Sequence, residues 1–189
     1  MKKTVKMLMT ILIVAATVFT VAADGPVLKA APGAMMFVYN LTDGKRPAPD
    51  ADCIDVVADN SPSFMKNNLR KYKETDKFAD QKIFIVWKGF IRVDEAGTYT
   101  ISLSFGGSGN GNANHVVFQL NGRDLLTISH FRDSYVMNDS CSVQMEKGDY
   151  EVTVIYRAIY DGDFSLRMWN KNTPLKKIEI TPENMLHAE

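Results

Sequence analysis

Histidine is scarce in this sequence of 189 residues, and the usual signatures of catalysis are absent from it. Its three histidines, His115, His130 and His187, stand far apart and lack the spacing of a zinc site. There is no Ser-His-Asp order, phosphate-binding loop or His-Glu-x-x-His motif. Nor does any sequence context place two carboxylates across a cleft, as glycoside hydrolysis requires. We therefore predict that the chain is not an enzyme.

The sequence also lacks an excess of either charge, since 22 basic residues balance 22 acidic ones. Three of the basic residues, Lys2, Lys3 and Lys6, precede an apolar stretch near the start, where no acidic residue occurs. The chain from residue 24 onward therefore carries 19 basic and 22 acidic residues, a net charge of −3. Nucleic acids and anionic membranes demand clustered positive charge, so neither is an expected partner.

An uncharged apolar stretch follows these lysines, from Met7 to Ala23, as in a secretory signal. Small side chains at Val21 and Ala23 predict cleavage before Asp24. Residues 1–23 are therefore predicted to be a signal peptide, and the mature protein to be periplasmic, on the cell surface or extracellular. The alternative is an uncleaved anchor, because seventeen residues lie near the lower limit for spanning a bilayer. After cleavage, no stable membrane insertion is expected.

Cysteine is rare as well, with Cys53 and Cys141 the only two in the chain. Export to an oxidising compartment predicts that they form a disulfide. Closing a loop of that length stabilises a fold by about 4 to 5 kcal/mol in the chain-entropy model. The alternative is a pair of buried free thiols.

The pattern that is present from Ile83 onward is an alternation of apolar and polar residues with period two, typical of strands that bury one face. It is clearest at Tyr99, Ile101, Leu103 and Phe105. Turn signals separate these runs, and Asn121-Gly122 suits a two-residue hairpin. The pattern predicts an all-β fold, an antiparallel β-sandwich or jelly roll, as a single domain over residues 24–189.

One stretch breaks this pattern. Ser61-Pro62 offers a helix start, and Phe64, Met65, Leu69 and Tyr72 recur near helical spacing. We therefore predict one short helix within residues 61–76, before the main strands.

A series of motifs in the second half of the chain resembles a known family. The series runs through residues 87–91, 94–100, 118–123, 143–156 and 164–169, beginning with Trp-Lys-Gly-Phe-Ile and ending with Phe-Ser-Leu-Arg-Met-Trp. Its order and spacing resemble the protective-antigen-type (PA-fourteen) domain over residues 87–186. The resemblance implies a β-sandwich module, often carbohydrate-binding, of the kind found in bacterial toxins, glycosidases and fungal adhesins.

The same resemblance directs attention to the loop after Phe105. In the sugar-binding adhesins of this family, adjacent aspartates in that loop chelate calcium, which orients the sugar hydroxyls. The corresponding stretch here, Gly106 to His115, contains no carboxylate. Calcium is held mainly by charged and carbonyl oxygens, so we expect no cofactor and disfavour a calcium-dependent mechanism.

The first candidate site is this glycine-rich loop. Asn110, Asn112 and Asn114 offer paired donors and acceptors suited to sugar hydroxyls, and His115 closes the loop. The alternative is a hairpin connection whose residues serve turn geometry alone.

The second candidate site is the turn that holds Asp161 and Asp163. Two carboxylates two residues apart can jointly accept hydroxyls, and the preceding Tyr160 would supply a stacking face. The alternative is an ordinary Asp-Gly hairpin.

These observations predict a secreted, non-catalytic carbohydrate-binding or adhesin-type module whose partner is a glycan. The alternative is a protein-interaction or assembly subunit of a bacterial envelope or pilus, with another surface protein as partner. A weaker alternative is an accessory domain to a glycosidase encoded elsewhere.

Overall fold

The structure is a computed structural model that describes residues 19–21, 30–40, 47–48, 51, 53–64, 83–106, 115–129, 136–158 and 163–188. Nearly all of the regular structure in these ranges is β-strand, apart from a short 3-10 helix over Pro182–Asn184. The strands in chain order are β1 (Phe19–Val21), β2 (Ala30–Pro32), β3 (Ala34–Asn40), β4 (Asp55–Asp59), β5 (Ile83–Val93), β6 (Gly97–Gly106), β7 (His115–Leu120), β8 (Arg123–Ser129), β9 (Val136–Met145), β10 (Gly148–Ala158), β11 (Asp163–Asn170), β12 (Ile178–Ile180) and β13 (Leu186–Ala188).

The strands form two sheets. The five-stranded sheet has the order β1-β9-β6-β11-β12, and the eight-stranded sheet contains β2-β13-β5-β10-β7-β8 together with β3 and β4. The described pairings are antiparallel, except that β1 runs parallel to β9. The all-β, antiparallel fold predicted from the alternation is confirmed.

The core lies between the sheets and follows from the alternation of the sequence. The inward side chains of β6 are Tyr99, Ile101, Leu103 and Phe105, and each is at most 6% exposed. They pack against inward residues of the opposite sheet, among them Trp87. Burying large apolar side chains of this kind contributes about 1.5 to 3 kcal/mol each relative to exposure.

The two ends of the sandwich differ in their connections. At one end, here called the turn end, neighbouring strands are joined by short turns, as at residues 94–96, 121–122 and 146–147. At the other, here called the loop end, the chain leaves β6 at Gly106 and returns at His115, and leaves β10 at Ala158 and returns at Asp163. The longer connections that cross between the sheets therefore meet at the loop end.

The same hydrogen bond between a tyrosine hydroxyl and a turn carbonyl occurs at the turn end of both sheets. The sequence Glu-x-Gly-x-Tyr occurs at residues 95–99 and again at residues 146–150. The Tyr99 hydroxyl donates to the Glu95 carbonyl at 2.8 Å, and the Tyr150 hydroxyl donates to the Glu146 carbonyl at 3.0 Å. Each tyrosine thereby ties the start of a core strand to the turn that precedes it.

The segment before β5 fills the open side of the sandwich with an aromatic side chain. The Phe64 ring lies 5.0 Å from that of Trp87 and is stacked 5.2 Å from that of Phe164. Residues 61–64 form bends, so the predicted helix does not begin at Ser61; residues 65–76 lie outside the described ranges.

The predicted disulfide is not formed, because both cysteines are free. Cys141 is partly buried in β9 and packs against the core between the sheets. Cys53 is exposed and lies close enough to Tyr39 to act on its pKa, and Tyr39 belongs to a cluster on the outer face of the eight-stranded sheet.

Strand β1 belongs to the segment predicted to be a signal peptide. Its residues Phe19 and Val21 pair with Val143 and Met145 of β9. Among the described residues, no helix is long and apolar enough to cross a membrane. Signal cleavage and the domain boundary at Asp24 stay predictions.

Candidate functional site

The strand register places the ends of the two connections that contain the predicted sites side by side at the loop end. Gly106, where the first connection begins, pairs directly with Asp163, where the second connection ends. His115, where the first connection returns, pairs with Arg157, one residue before the end of β10. Both connections are therefore anchored on neighbouring strands in each sheet.

Five of the predicted site residues lie outside the described residues, namely Asn110, Asn112, Asn114, Tyr160 and Asp161. His115 is half-buried at the start of β7, and Asp163 is the first residue of β11. The structure thus places the ends of both candidate segments, and the roles of the five residues between them stay predictions.

A row of side chains crosses the outer face of the eight-stranded sheet beside these connections. Tyr39 pairs with Phe84, Phe84 with Arg157, and Arg157 with His115, on the adjacent strands β3, β5, β10 and β7. Register partners in antiparallel strands project from the same face, so these four residues, here called the outer row, lie side by side. Tyr39 and Phe84 are buried, and the other two are half-buried.

Arg157 is the charged member of the outer row. Its guanidinium lies 5.9 Å from the centre of the Phe84 ring, within the range of a cation–π contact. Its Nε is buried and has no hydrogen-bond partner in the described part of the chain. A buried donor without a partner is costly.

The sequence prediction does not include Arg157, because it considers residues in loops and not residues at the ends of strands. The sequence does contain a signal for it: Arg157 is a charged residue that follows the apolar alternation of Val152, Val154 and Tyr156 and falls on the opposite face of the strand.

The hydroxyl of Tyr39 in the outer row has a raised pKa. Burial is the main cause, and Cys53 makes a further contribution. Tyr39 is therefore neutral at physiological pH.

The described part of the loop end carries one cation of the outer row. Arg157 supplies this charge and directional donors, and it lies over the buried ring of Phe84. Among the described residues there is no group of three or more His, Cys, Asp or Glu that could hold a metal ion.

A second surface feature is strand β4 together with Ile54 just before it, three strands away from β10 and Arg157 in the same sheet. Ile54, Val56 and Val57 are 48%, 46% and 37% exposed. Within the described ranges β4 pairs only with β3, so this apolar strand lies at an edge of the sheet. Exposed apolar edge strands are surfaces on which other chains can pair.

The architecture is that of a two-sheet β-sandwich in which the connections after β6 and β10 meet at one end. No protein-family model matches the chain, and no curated protein matches it. Solved structures, however, share its fold.

Three of these structures illustrate the likeness. The PA14 domain of the MpAFP antifreeze protein is 14% identical, with a TM-score of 0.56 over 87% of this chain and 95% of that one. The Epithelial Adhesin 6 A domain from Candida glabrata, in complex with Galb1-3GlcNAc, is 14% identical, with a TM-score of 0.55 over 92% and 94%. A β-glucosidase from Kluyveromyces marxianus, in complex with glucose, is 18% identical, with a TM-score of 0.53 over 73% of this chain.

At such low identity the likeness shows the fold alone. The chain is similar in fold to a PA14 domain and to adhesin A domains along most of its length and theirs. It spans only 15% of the β-glucosidase, so that enzyme's activity is not carried over to it.

Proposed function

We propose that this protein is an exported, non-catalytic carbohydrate-binding module of the adhesin type, which binds its glycan at the loop end. The observation that carries the proposal is the register that places the Gly106–His115 connection, the Asp163 connection and Arg157 on neighbouring strands. The likeness in fold to adhesin A domains solved with bound disaccharides supports the proposal.

The residues available at the loop end suit neutral or weakly acidic sugars. Amide side chains of Asn110, Asn112 and Asn114 pair with vicinal hydroxyls, which both donate and accept. Arg157, which is half-buried, provides a planar fork of donors for hydroxyl or carboxylate oxygens. Binding by these groups requires no metal, so the site works without calcium.

A glycan array followed by titration tests the proposal. The variant Asn110→Ala/Asn112→Ala/Asn114→Ala should lose binding, and Arg157→Lys should weaken it because lysine keeps the charge but lacks Nε and the fork. Asn138→Ala, an exposed asparagine on β9, is the control and should bind normally. Undiminished binding by both the triple variant and Arg157→Lys would place the site elsewhere.

The same assay tests whether glycan binding depends on calcium. Binding should be equal in the presence of a chelator and in millimolar calcium, because the loop from Gly106 to His115 has no carboxylate. Loss of binding in the chelator, restored by calcium, would show that a metal takes part.

A second candidate function is that of a protein-interaction or assembly subunit of a bacterial envelope or pilus. The exposed apolar residues at β4 favour it, since Ile54 and Val56 offer an apolar surface on a strand that pairs only with β3 within the described ranges. A pull-down from the native envelope should then yield one stoichiometric protein with no retained glycan. The variant Val56→Glu should abolish that capture, whereas Arg157→Lys should leave it unchanged.

A further inference from the structure

A cavity of about 160 Å³ opens at the turn end, at the opposite end of the sandwich from the proposed glycan site. It lies between the β5–β6 turn and the segment that joins β11 to β12. Its floor is apolar and consists of Val93, Tyr99 and Met168, each at most 6% exposed. At roughly 30 Å³ per water molecule, the space equals about five waters and so accepts one small chemical group rather than a whole oligosaccharide.

One wall of the cavity is formed by Asn170, which is 7% exposed. The backbone N–H of Asn172 donates to its Oδ1 at 2.9 Å, and this bond fixes which side of the amide carries the nitrogen. The structure gives Nδ2 no partner among the described residues. Asn170 is thus a nearly buried side chain with a free donor, in the wall of a cavity.

The side-chain amide of Asn170 lies against the backbone of Gly97. A Cβ built on Gly97 would stand 2.7 Å from Nδ2 and 3.1 Å from Oδ1 of Asn170, closer than real contacts allow. The amide therefore lies directly against the Gly97 backbone, in a space that any other residue would fill. Its donor is positioned before a ligand arrives, which reduces the entropy lost on binding.

The mouth of the cavity is polar and carries both charges. Asp94, Glu95, Thr173 and Lys176 are exposed there. Arg92 also lines the mouth, but its guanidinium is engaged by the Asp149 carboxylate through bonds of 2.8 and 3.0 Å. That engagement raises the pKa of Arg92 through the hydrogen bond and the charge of Asp149. The mouth thus offers acceptors and donors together, without a strong net charge.

We propose that this cavity is a binding site for the acetamido group of an N-acetylated sugar. The methyl group would rest on the apolar floor, and the carbonyl oxygen would accept from Nδ2 of Asn170. The amide N–H and the ring hydroxyls would reach the carboxylates and Thr173 at the mouth. A fully charged group would not suit the apolar floor, and a sugar without the acetyl group would leave it unfilled.

This proposal shares the saccharide class with the proposed function but does not depend on the loop end. The two sites lie at opposite ends of the sandwich, so each can be disabled alone. A glycan long enough to reach both is not needed for either.

NMR titration of the isotope-labelled protein tests the site. The probes are N-acetyl-D-glucosamine and N-acetyl-D-galactosamine, with D-glucose and D-glucosamine as controls that lack the acetyl group. The N-acetylated probes should shift the Asn170 side-chain amide and the backbone of residues 93–99 saturably, and the controls should not. Equal shifts from glucose, or no saturable shift from either N-acetylated probe, would overturn the proposal.

Variants of the cavity wall sharpen the test. Asn170→Asp keeps the acceptor for the Asn172 N–H, removes the free donor and adds a negative charge facing the carbonyl oxygen of the ligand, so affinity should fall at least about fivefold. Gly97→Ala should displace the amide and weaken binding similarly. If either variant unfolds, Thr173→Val at the mouth takes its place, with an expected loss of about threefold.

The failures of the two proposals are distinguishable. If the triple asparagine variant of the loop end abolishes all N-acetyl sugar binding while Asn170→Asp changes nothing, the turn-end site is refuted and the proposed function stands. If Asn170→Asp alone abolishes the shifts, the turn-end site is supported whatever the loop end binds.

Discussion

Cys141 and Cys53 are chemically unequal, although both are free. Burial, with a smaller contribution from Asp139, raises the pKa of the Cys141 thiol from 9.0 to about 11. At pH 8 a pKa of 11 lowers the thiolate fraction on the order of a hundredfold relative to a pKa of 9. Iodoacetamide at pH 8 should therefore label exposed Cys53 quickly and Cys141 only after unfolding, as read by peptide mass spectrometry. Equal labelling of both in the folded protein would contradict this.

The same shift predicts how stability changes at high pH. Because the folded protein holds the Cys141 proton more tightly than the unfolded chain, this contribution is fully present below pH 9 and is lost as pH rises to about 11. The free energy of unfolding should fall over that range by denaturant titration. The fall should be smaller in Cys141→Ala, and an identical fall in that variant would assign the loss to other groups.

Asp59 is a buried carboxylate with a structural task. Its Oδ2 accepts the Trp87 indole N–H at 2.8 Å, and its Oδ1 accepts the backbone N–H of Ser61 at 2.9 Å. Asp59→Ala would leave the indole donor unsatisfied in the core, at a cost of about 1 to 3 kcal/mol. Urea unfolding should show this loss, whereas Glu183→Ala, an exposed residue, should change stability by less than about 0.5 kcal/mol. An equal effect of the two would contradict the bond.

At this scale, the sequence predicts local turn features but not the long-range partners of a residue. The sequence prediction selected the connections that end at His115 and Asp163, because glycine, asparagine and aspartate mark turns locally. It missed Arg157, whose role depends on the strand register, and it was wrong about the disulfide. Pairing of two cysteines depends on which face of which sheet each occupies, and spacing along the chain does not contain that information.

Among the elements, the two Glu-x-Gly-x-Tyr turns stabilise the starts of β6 and β10 in the same way. Tyr99→Phe and Tyr150→Phe each remove one hydroxyl that is bonded to the preceding turn, so each should cost about 1 kcal/mol. Urea unfolding measures both. Unchanged stability in both turn variants would mean that the turns hold without these bonds.

The elements themselves were largely predictable from period-two patterning. The alternation noted at residues 99–105, 141–145, 150–156 and 164–168 falls within the long strands β6, β9, β10 and β11, and each is present. The three-residue strands β2, β12 and β13 were not predicted, because so short a stretch carries no detectable period. The expected helix start at Ser61 instead forms bends that place Phe64 against Trp87, an outcome set by the core and not by local spacing.

For the whole molecule, the sandwich should fold independently of its loop-end connections. The core lies between the strands, and the turn end is fastened by its own hydrogen bonds. Replacing residues 107–114 with a Gly/Ser segment of equal length should leave the melting temperature within about 4 °C, roughly 1 kcal/mol for a domain of this size. Thermal unfolding by circular dichroism measures this, and the same protein should lose loop-end glycan binding. A cooperative transition lost on replacement would show that the segment belongs to the core.

Gly106 pairs with Asp163, and Arg157 pairs with His115, so the two connections are attached to directly paired strand residues. This attachment matters for sequence variation among related chains and for protein engineering. Two segments that are distant in sequence begin and end on adjacent ladder rungs, so they can be exchanged as cassettes without altering the strands beneath. Related chains can thus diverge in binding specificity through substitutions in the loop-end connections alone. A display library randomised at residues 107–114 and 159–162 would sample new recognition on an unchanged scaffold.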